Sequence, residues 1–292
     1  MKSLRIGCVK YLNARPLIRG WTDDVEFDHP SALCKRLANG DLDVALVSSF
    51  EFLRNPIYRI VDDISISSDG AVYSVVVAHQ GEISEIDEIE LDPASQTAVN
   101  LLRCLLAELK LRLRLTRNID LQSVRPAGLQ PAESHSAENF SAGHTGNMPM
   151  FPTAHRARLL IGDHAIRFRQ DYADQVQLWD LGEQWKRRTG LPFVYALWLI
   201  RPEVANAKQI ADRLRSLRDE NLTELEGLVA KVVAGVTGPD HPRLDQQFLF
   251  RYYRENLRFS LGEKEKDGLR TFGKLCAKHG LLSKRDFTFN LV

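Results

Sequence analysis

The chain has 292 residues, 44% of them hydrophobic and 26% charged, a balance that excludes disorder and supplies apolar material for two lobes of ordinary size. Its 39 basic side chains against 38 acidic ones leave no global basic field, which argues against a nucleic-acid partner. No segment approaches the ~20 unbroken apolar residues of a membrane helix, the apolar run before Lys10 is too short for a secretory signal, and the four dispersed cysteines make no C-x-x-C pair. The expectation is therefore a cytoplasmic chain with reduced thiols, no metal site and no membrane association.

The first ninety residues alternate short apolar runs with helical patterns, as βα units do. Leu4 to Val9 reads as a strand and Val25 to Phe27 as a second. Pro30-Ser31 opens a helix with an apolar face at Leu33, Leu37 and Ala38, closed by Asn39-Gly40. Val44 to Val47 is a third strand, running into Ser48-Ser49 and a helix with Phe50, Phe52 and Leu53. Ile64 to Ser67 and Val72 to Ala78 flank an Asp69-Gly70 turn. The pattern restarts at Glu88 to Leu91. Asp92 as cap and Pro93 in the first helical position then lead through Ser95-Gln96-Thr97 into a strongly amphipathic helix.

Gln130 to His155 changes character, rich in Ser, Ala, Gly, Pro and Asn, and reads as a long surface loop. Its histidines, His135, His144 and His155, lack metal-ligand spacing. Leu159 to Ile161 resumes as a strand, Asp180 to Arg188 gives a short helix, and Phe193 to Ile200 is a last strong strand; beyond Pro202 the chain is helical. Chain crossings near Leu91 and Ile200 divide it into lobe 1 (residues 1–91 with 201–292, including the helical tail) and lobe 2 (92–200), with a ligand cleft between them.

The segment Tyr11-Leu12-Asn13-Ala14-Arg15-Pro16-Leu17 puts an uncharged amide, Asn13, at a strand-to-helix turn. Ligands of open α/β sheets bind outside the carboxyl ends of strands, while Asn is equally a favoured helix cap. Similar turns recur at Ser31, Ser48-Ser49 and Ser95-Thr97.

Taken with Leu42-Asp43-Val44-Ala45-Leu46-Val47-Ser48-Ser49, Leu160-Ile161-Gly162-Asp163, Asp180-Leu181-Gly182 and Thr189-Gly190-Leu191-Pro192-Phe193-Val194, these segments resemble the chorismate dehydratase family of the futalosine route to menaquinone, in order over nearly the whole chain. The resemblance implies an α/β, two-lobed fold of the type II periplasmic-binding-protein kind with a helical C-terminal tail. It also implies a lyase that dehydrates chorismate to 3-(1-carboxyvinyloxy)benzoate without metal or organic cofactor. Two departures stand out: the family's Ser-x-Thr-Ser reads Ser95-Gln96-Thr97-Ala98 here, and the Ile-Gly-Asp strand is reached through the Gln130–His155 loop.

Chorismate is a cyclic dicarboxylate. The ring hydrogen to be lost is vinylogous to the ring carboxylate, so its removal gives a stabilised dienolate, and expulsion of the neighbouring hydroxyl makes the ring aromatic. The enzyme needs to hold and orient a dianion and help a hydroxide leave. On that reading Asn13 contacts the reacting ring or its leaving hydroxyl, and Ser31, Ser48, Ser49, Ser74, Ser95 and Thr97 form the substrate-binding set. Asp163 is the best protein carboxylate for a general base, with a substrate carboxylate as its competitor and helix capping as the bland alternative. Glu51 is assigned a structural role, and Trp185 and Trp198 core packing. A homodimer stays open. The alternative function is a non-catalytic small-carboxylate-binding protein or sensor of the same shape, since the fold serves both.

Overall fold

The computed structural model describes residues 4–92, 94–117, 153, 155–235 and 244–292. The loop expected from Gln130 to His155 lies outside the described residues except for Thr153 and His155. In chain order the elements are β1 (Ile6–Val9), a 3-10 turn (Leu12–Ala14), α1 (Arg15–Ile18), β2 (Val25–Asp28), α2 (Pro30–Asn39), β3 (Val44–Ser48), α3 (Ser49–Arg54), β4 (Arg59–Ile60), β5 (Ile66–Ser68), β6 (Val75–His79), β7 (Glu88–Leu91), α4 (Gln96–Glu108), β8 (Arg114–Arg117), β9 (Arg156–Ile161), α5 (Gly162–Tyr172), β10 (Gln177–Asp180), α6 (Leu181–Thr189), β11 (Phe193–Ile200), α7 (Ala207–Thr223), α8 (Leu225–Gly235), α9 (Gln246–Arg251), a π-helical turn (Tyr252–Asn256) and α10 (Glu263–Lys278).

Two sheets result, ordered β2-β1-β3-β11-β4 with β5 also on β11, and β10-β6-β9-β7-β8. In the first, β1 runs parallel to β2 and β3, and β11 runs antiparallel to β3. In the second, β7 runs parallel to β8 and β9, and β6 antiparallel to β9. The central strands β1, β3 and β6 are buried along their whole length, which is why they read as continuous apolar runs rather than alternating ones. Trp185 and Trp198 are fully buried core side chains, as assigned.

The chain passes between the sheets after Ser68 and returns between Asp180 and Phe193, earlier in both cases than the crossings expected near Leu91 and Ile200. The reason is that β6 and β11 are buried apolar runs, and an apolar run carries no mark of which sheet it joins; pairing between distant segments decides that. Asp180 ties the two passages together. Its carboxylate accepts Val72 N–H at 3.0 Å and Tyr73 N–H at 2.8 Å from the outgoing passage, and Gly182 N–H and Glu183 N–H at 3.0 and 3.1 Å from the returning one. Gly182 is required there, because a Cβ would sit 2.5 Å from Gly70 O.

Three strands that the sequence pattern missed, β4, β8 and β10, are all sheet edges, where half-exposure dilutes the apolar signal. The start of α4 also differs: Ser95 is its cap, with Oγ accepting Ala98 N–H at 3.2 Å, whereas Asp92 closes a local turn by accepting Ala94 N–H at 2.9 Å. In the tail, α7 packs along α1, with Asn221 Nδ2 donating to the Pro16 and Arg19 carbonyls at 3.0 and 2.8 Å. Helix α10 lies against α3, β11 and α4.

Candidate active site

The carboxyl ends of β1, β3 and β9, the beginnings of β6 and β11 and the N-terminus of α4 meet at one cleft between the sheets, the position that open α/β architecture favours for a ligand. Four of the predicted residues, Asn13, Ser48, Ser74 and Ser95, line it together with Tyr11, Gly162, Tyr195 and apolar side chains such as Val9, Val47, Ile66 and Ile161. No Asp, Glu, His, Lys or Arg among the described residues lines it. The cavity is small, about 60 Å³.

Each serine hydroxyl of this lining accepts a hydrogen bond from the protein, which favours its proton as the group offered to a ligand. Ser74 Oγ accepts the Tyr252 O–H at 2.7 Å. Ser95 Oγ accepts Ala98 N–H as the α4 cap. Ser48 Oγ accepts Thr97 N–H at 3.0 Å and is bonded again to the Thr97 hydroxyl. Thr97 Oγ1 in turn accepts Phe50 N–H at 3.1 Å and lies 3.3 Å from Ser49 Oγ, so the three side chains form one hydroxyl chain at the start of α4. Three O–H donors thus converge beside the positive end of a 13-residue helix, an arrangement suited to carboxylate oxygens. Burial pushes the phenols of Tyr11, Tyr195 and Tyr252 above their ordinary value, so they stay protonated.

Asn13 Oδ1 is the exception among these groups: it is enclosed and has no hydrogen-bond partner in the protein. A buried orphan acceptor costs free energy that an incoming donor recovers. The turn carrying it is held from the other sheet. Tyr11 packs on Gly162, where φ is +58° and a Cβ would stand 3.1 Å from the ring, so glycine serves both the left-handed backbone and the close approach. One residue on, Asp163 Oδ1 accepts Leu12 N–H at 3.0 Å, and from the tail the Tyr253 O–H donates to Leu12 O at 2.8 Å.

The other predicted residues sit beside the cleft rather than in its lining. Ser49 is fully buried and donates to Val194 O at 2.7 Å, Thr97 bridges β3 to α4 as described, and Ser31 gives its N–H to Ala94 O at 3.1 Å. Asp163 is spent on Leu12. Ala98, the departure from the family pattern, is buried with its N–H on Ser95. Glu51 is 0% exposed and paired with Arg54 at 2.5 Å, and burial raises its pKa, consistent with the structural role assigned. A roomier groove of about 430 Å³, lined by Arg15, Trp21, Phe27 and Lys231, shares none of the predicted residues. Sequence reasoning missed Tyr195, Tyr252 and Tyr253 because aromatic residues in apolar or helical runs read as core, and they are core; only their hydroxyl ends reach polar partners. Among the described residues no group of three or more His, Cys, Asp or Glu side chains is placed to hold a metal ion, and no helix is long and apolar enough to cross a membrane.

The molecule is a two-sheet α/β fold with a cleft at its strand ends that no charged side chain among the described residues lines, and solved structures agree on the fold. A protein of Archaeoglobus fulgidus superposes with a TM-score of 0.62 at 16% identity, covering 96% of this chain and 98% of that one. A Candida albicans gene product described as having the generic periplasmic binding protein fold gives 0.57 at 10% identity, covering 98% and 92%. The sequence model of the menaquinone biosynthesis family matches residues 4–137 and 131–278, and the chain belongs to that family. A chorismate dehydratase of Thermus thermophilus is 29% identical over 285 residues, covering 94% of this chain and 95% of that protein.

Proposed function

We propose that the chain is a carbon–oxygen lyase that dehydrates chorismate to 3-(1-carboxyvinyloxy)benzoate, a step toward menaquinone, in the cytoplasm. The likeness to a chorismate dehydratase along almost the full length supports the reading. The observation that carries it is the cleft itself, in which three hydroxyl donors and one orphan amide oxygen face a space with no charged lining among the described residues.

In this mechanism Ser48, Ser74 and Ser95 donate to the substrate carboxylates, helped by the positive end of α4. The hydrogen on the ether-bearing ring carbon leaves as a proton, its electron pair delocalises into the ring carboxylate, and the dienolate expels the adjacent hydroxide. That hydroxide takes up a proton and departs as water, and the ring becomes aromatic. Asn13 bonds the leaving hydroxyl through its amide N–H, a donor interaction that strengthens as negative charge develops on that oxygen. The buried tyrosines are held protonated and are poor bases, and Asp163 is engaged with Leu12. The enolpyruvyl carboxylate of the substrate is then the base best placed to take the proton.

Purified protein mixed with chorismate in chelator-treated buffer should yield a new aromatic absorbance and the mass of the enolpyruvyl ether, with both strongly reduced in Asn13→Ala. Tight chorismate binding with no product above that variant would overturn the lyase reading in favour of a non-catalytic carboxylate-binding protein.

A further inference from the structure

We infer that Asp163 and Tyr253 are positioning residues that hold the Asn13 turn in its working geometry, and that Asp163 is not the proton acceptor. The inference rests on the lyase reading for its kinetic arm and on the geometry alone for its other arm.

The 3-10 turn Leu12–Ala14 starts without a side-chain cap of its own: Tyr11, in the cap position, makes no such bond. The first N–H groups of a helical turn need acceptors, and the Leu12 N–H finds one in a carboxylate from the other sheet, at the favourable negative-charge position for a helix start. The carbonyl of the same residue accepts Arg15 N–H within the turn and the Tyr253 O–H from outside it. Both polar groups of Leu12 are therefore fixed by side chains distant in sequence, and Asn13, the next residue, carries the unpartnered oxygen that faces the cleft. Tyr253 is 2% exposed, and burial keeps its phenol protonated as the donor. The π-helical form of its turn is a local departure that recurs at functional sites.

The Asp163 bond spans the two sheets and sits next to the Tyr11–Gly162 contact, so it forms only when the halves are together. The bond is already made in this structure, so the Asn13 turn is held in place before substrate arrives.

Substitutions separate a positioning carboxylate from a base. Asparagine at 163 keeps an acceptor for Leu12 N–H but removes the proton-accepting carboxylate. Asp163→Asn should therefore retain kcat within about threefold of the parent, while Asp163→Ala loses ~10–100-fold in kcat with little change in KM, as a displaced reacting group does. Tyr253→Phe should lose less, about tenfold, because the Arg15 bond to Leu12 O survives. In the cycle with Asn13→Ala, the double variant Asp163→Ala/Asn13→Ala should be no slower than Asn13→Ala alone, since Asp163 acts through Asn13. A drop of ~10³-fold in Asp163→Asn, equal to or worse than the alanine variant, would overturn the inference and make Asp163 the base. Amide exchange at Leu12, measured without substrate, tests the same point independently of turnover. It should quicken about tenfold in Asp163→Ala and stay slow in Asp163→Asn; unchanged exchange in both would overturn the clamp. If the parent protein fails to convert chorismate, the function reading fails while the exchange result still decides the clamp.

Discussion

Helix α4 has two very different ends. Its N-terminus, at Ser95 and Thr97, faces the cleft with neutral hydroxyls and a helix dipole. Its C-terminus, at Glu108, is packed with charge: Arg188, Lys278 and His279 approach the carboxylate at 2.8, 2.6 and 2.7 Å, drawing α6, α10 and α4 together. Near that end the thiols of Cys104 and Cys276 lie 3.7 Å apart between α4 and α10. The contrast teaches how the chain divides its work. Charges that would compete with or trap a dianion are satisfied far from the cleft, where they hold the tail to the body, and the cleft keeps donors that are neutral and already oriented by the protein.

The sharpest way to break this comparison is at Asn13. Asn13→Ala should lower kcat ~10²–10³-fold, the usual loss when one preorganised polar group is removed from a developing oxyanion, while the melting temperature holds or rises because an unpartnered buried oxygen has gone. Steady-state rates alongside thermal unfolding check both halves. Gly162→Ala comes next. The left-handed backbone alone costs ~1–2 kcal/mol, and the methyl would meet the Tyr11 ring. A kcat loss of ~10–100-fold with a lowered melting temperature is expected; parent-like kinetics would show that the Tyr11 contact has no bearing on Asn13.

Tyr252→Phe should act on binding more than on chemistry. Without the phenol, Ser74 is free to turn its proton away from the cleft, and KM should rise about tenfold with kcat nearly constant. The smallest effect on activity belongs to the other end of α4. The hydrogen bonds from Lys278, Arg188 and His279 hold Glu108 down to about 2, from an ordinary 4.5. A carboxylate whose folded value is depressed contributes stability that is fully present above its unfolded value and is lost as pH falls toward the folded one. Glu108→Gln should therefore unfold at lower denaturant than the parent at neutral pH. The gap should shrink as pH falls from about 4.5 toward about 2, and kcat should be unchanged throughout.

The sequence and the structure part company in an instructive way. Turn residues at strand ends were legible because few residue types suit a tight strand-to-helix turn, and Asn13, Ser48, Ser74 and Ser95 do meet in one place. The neighbours Ser49 and Thr97 carry the same hydroxyl chemistry and Asp163 sits at a similar strand-end turn, and only the backbone path shows that they brace the lining instead of forming it. Sheet membership of β6 and β11 was beyond local pattern, because burial on both faces erases the alternation that would assign a side. The tail's contribution was hidden for a related reason. Tyr252 and Tyr253 look like ordinary apolar helix residues until the chain folds back some 180 residues to Ser74 and about 240 to Leu12.

The most direct measurement is a crystal structure of Asn13→Ala, slowed enough to keep its substrate, soaked with chorismate. The account predicts the diacid between the two sheets, its carboxylates on the hydroxyls of Ser48, Ser74 and Ser95 and its ring hydroxyl turned toward residue 13. Chorismate seated instead in the groove beside Trp21, or with its carboxylates paired to arginine or lysine, would contradict it.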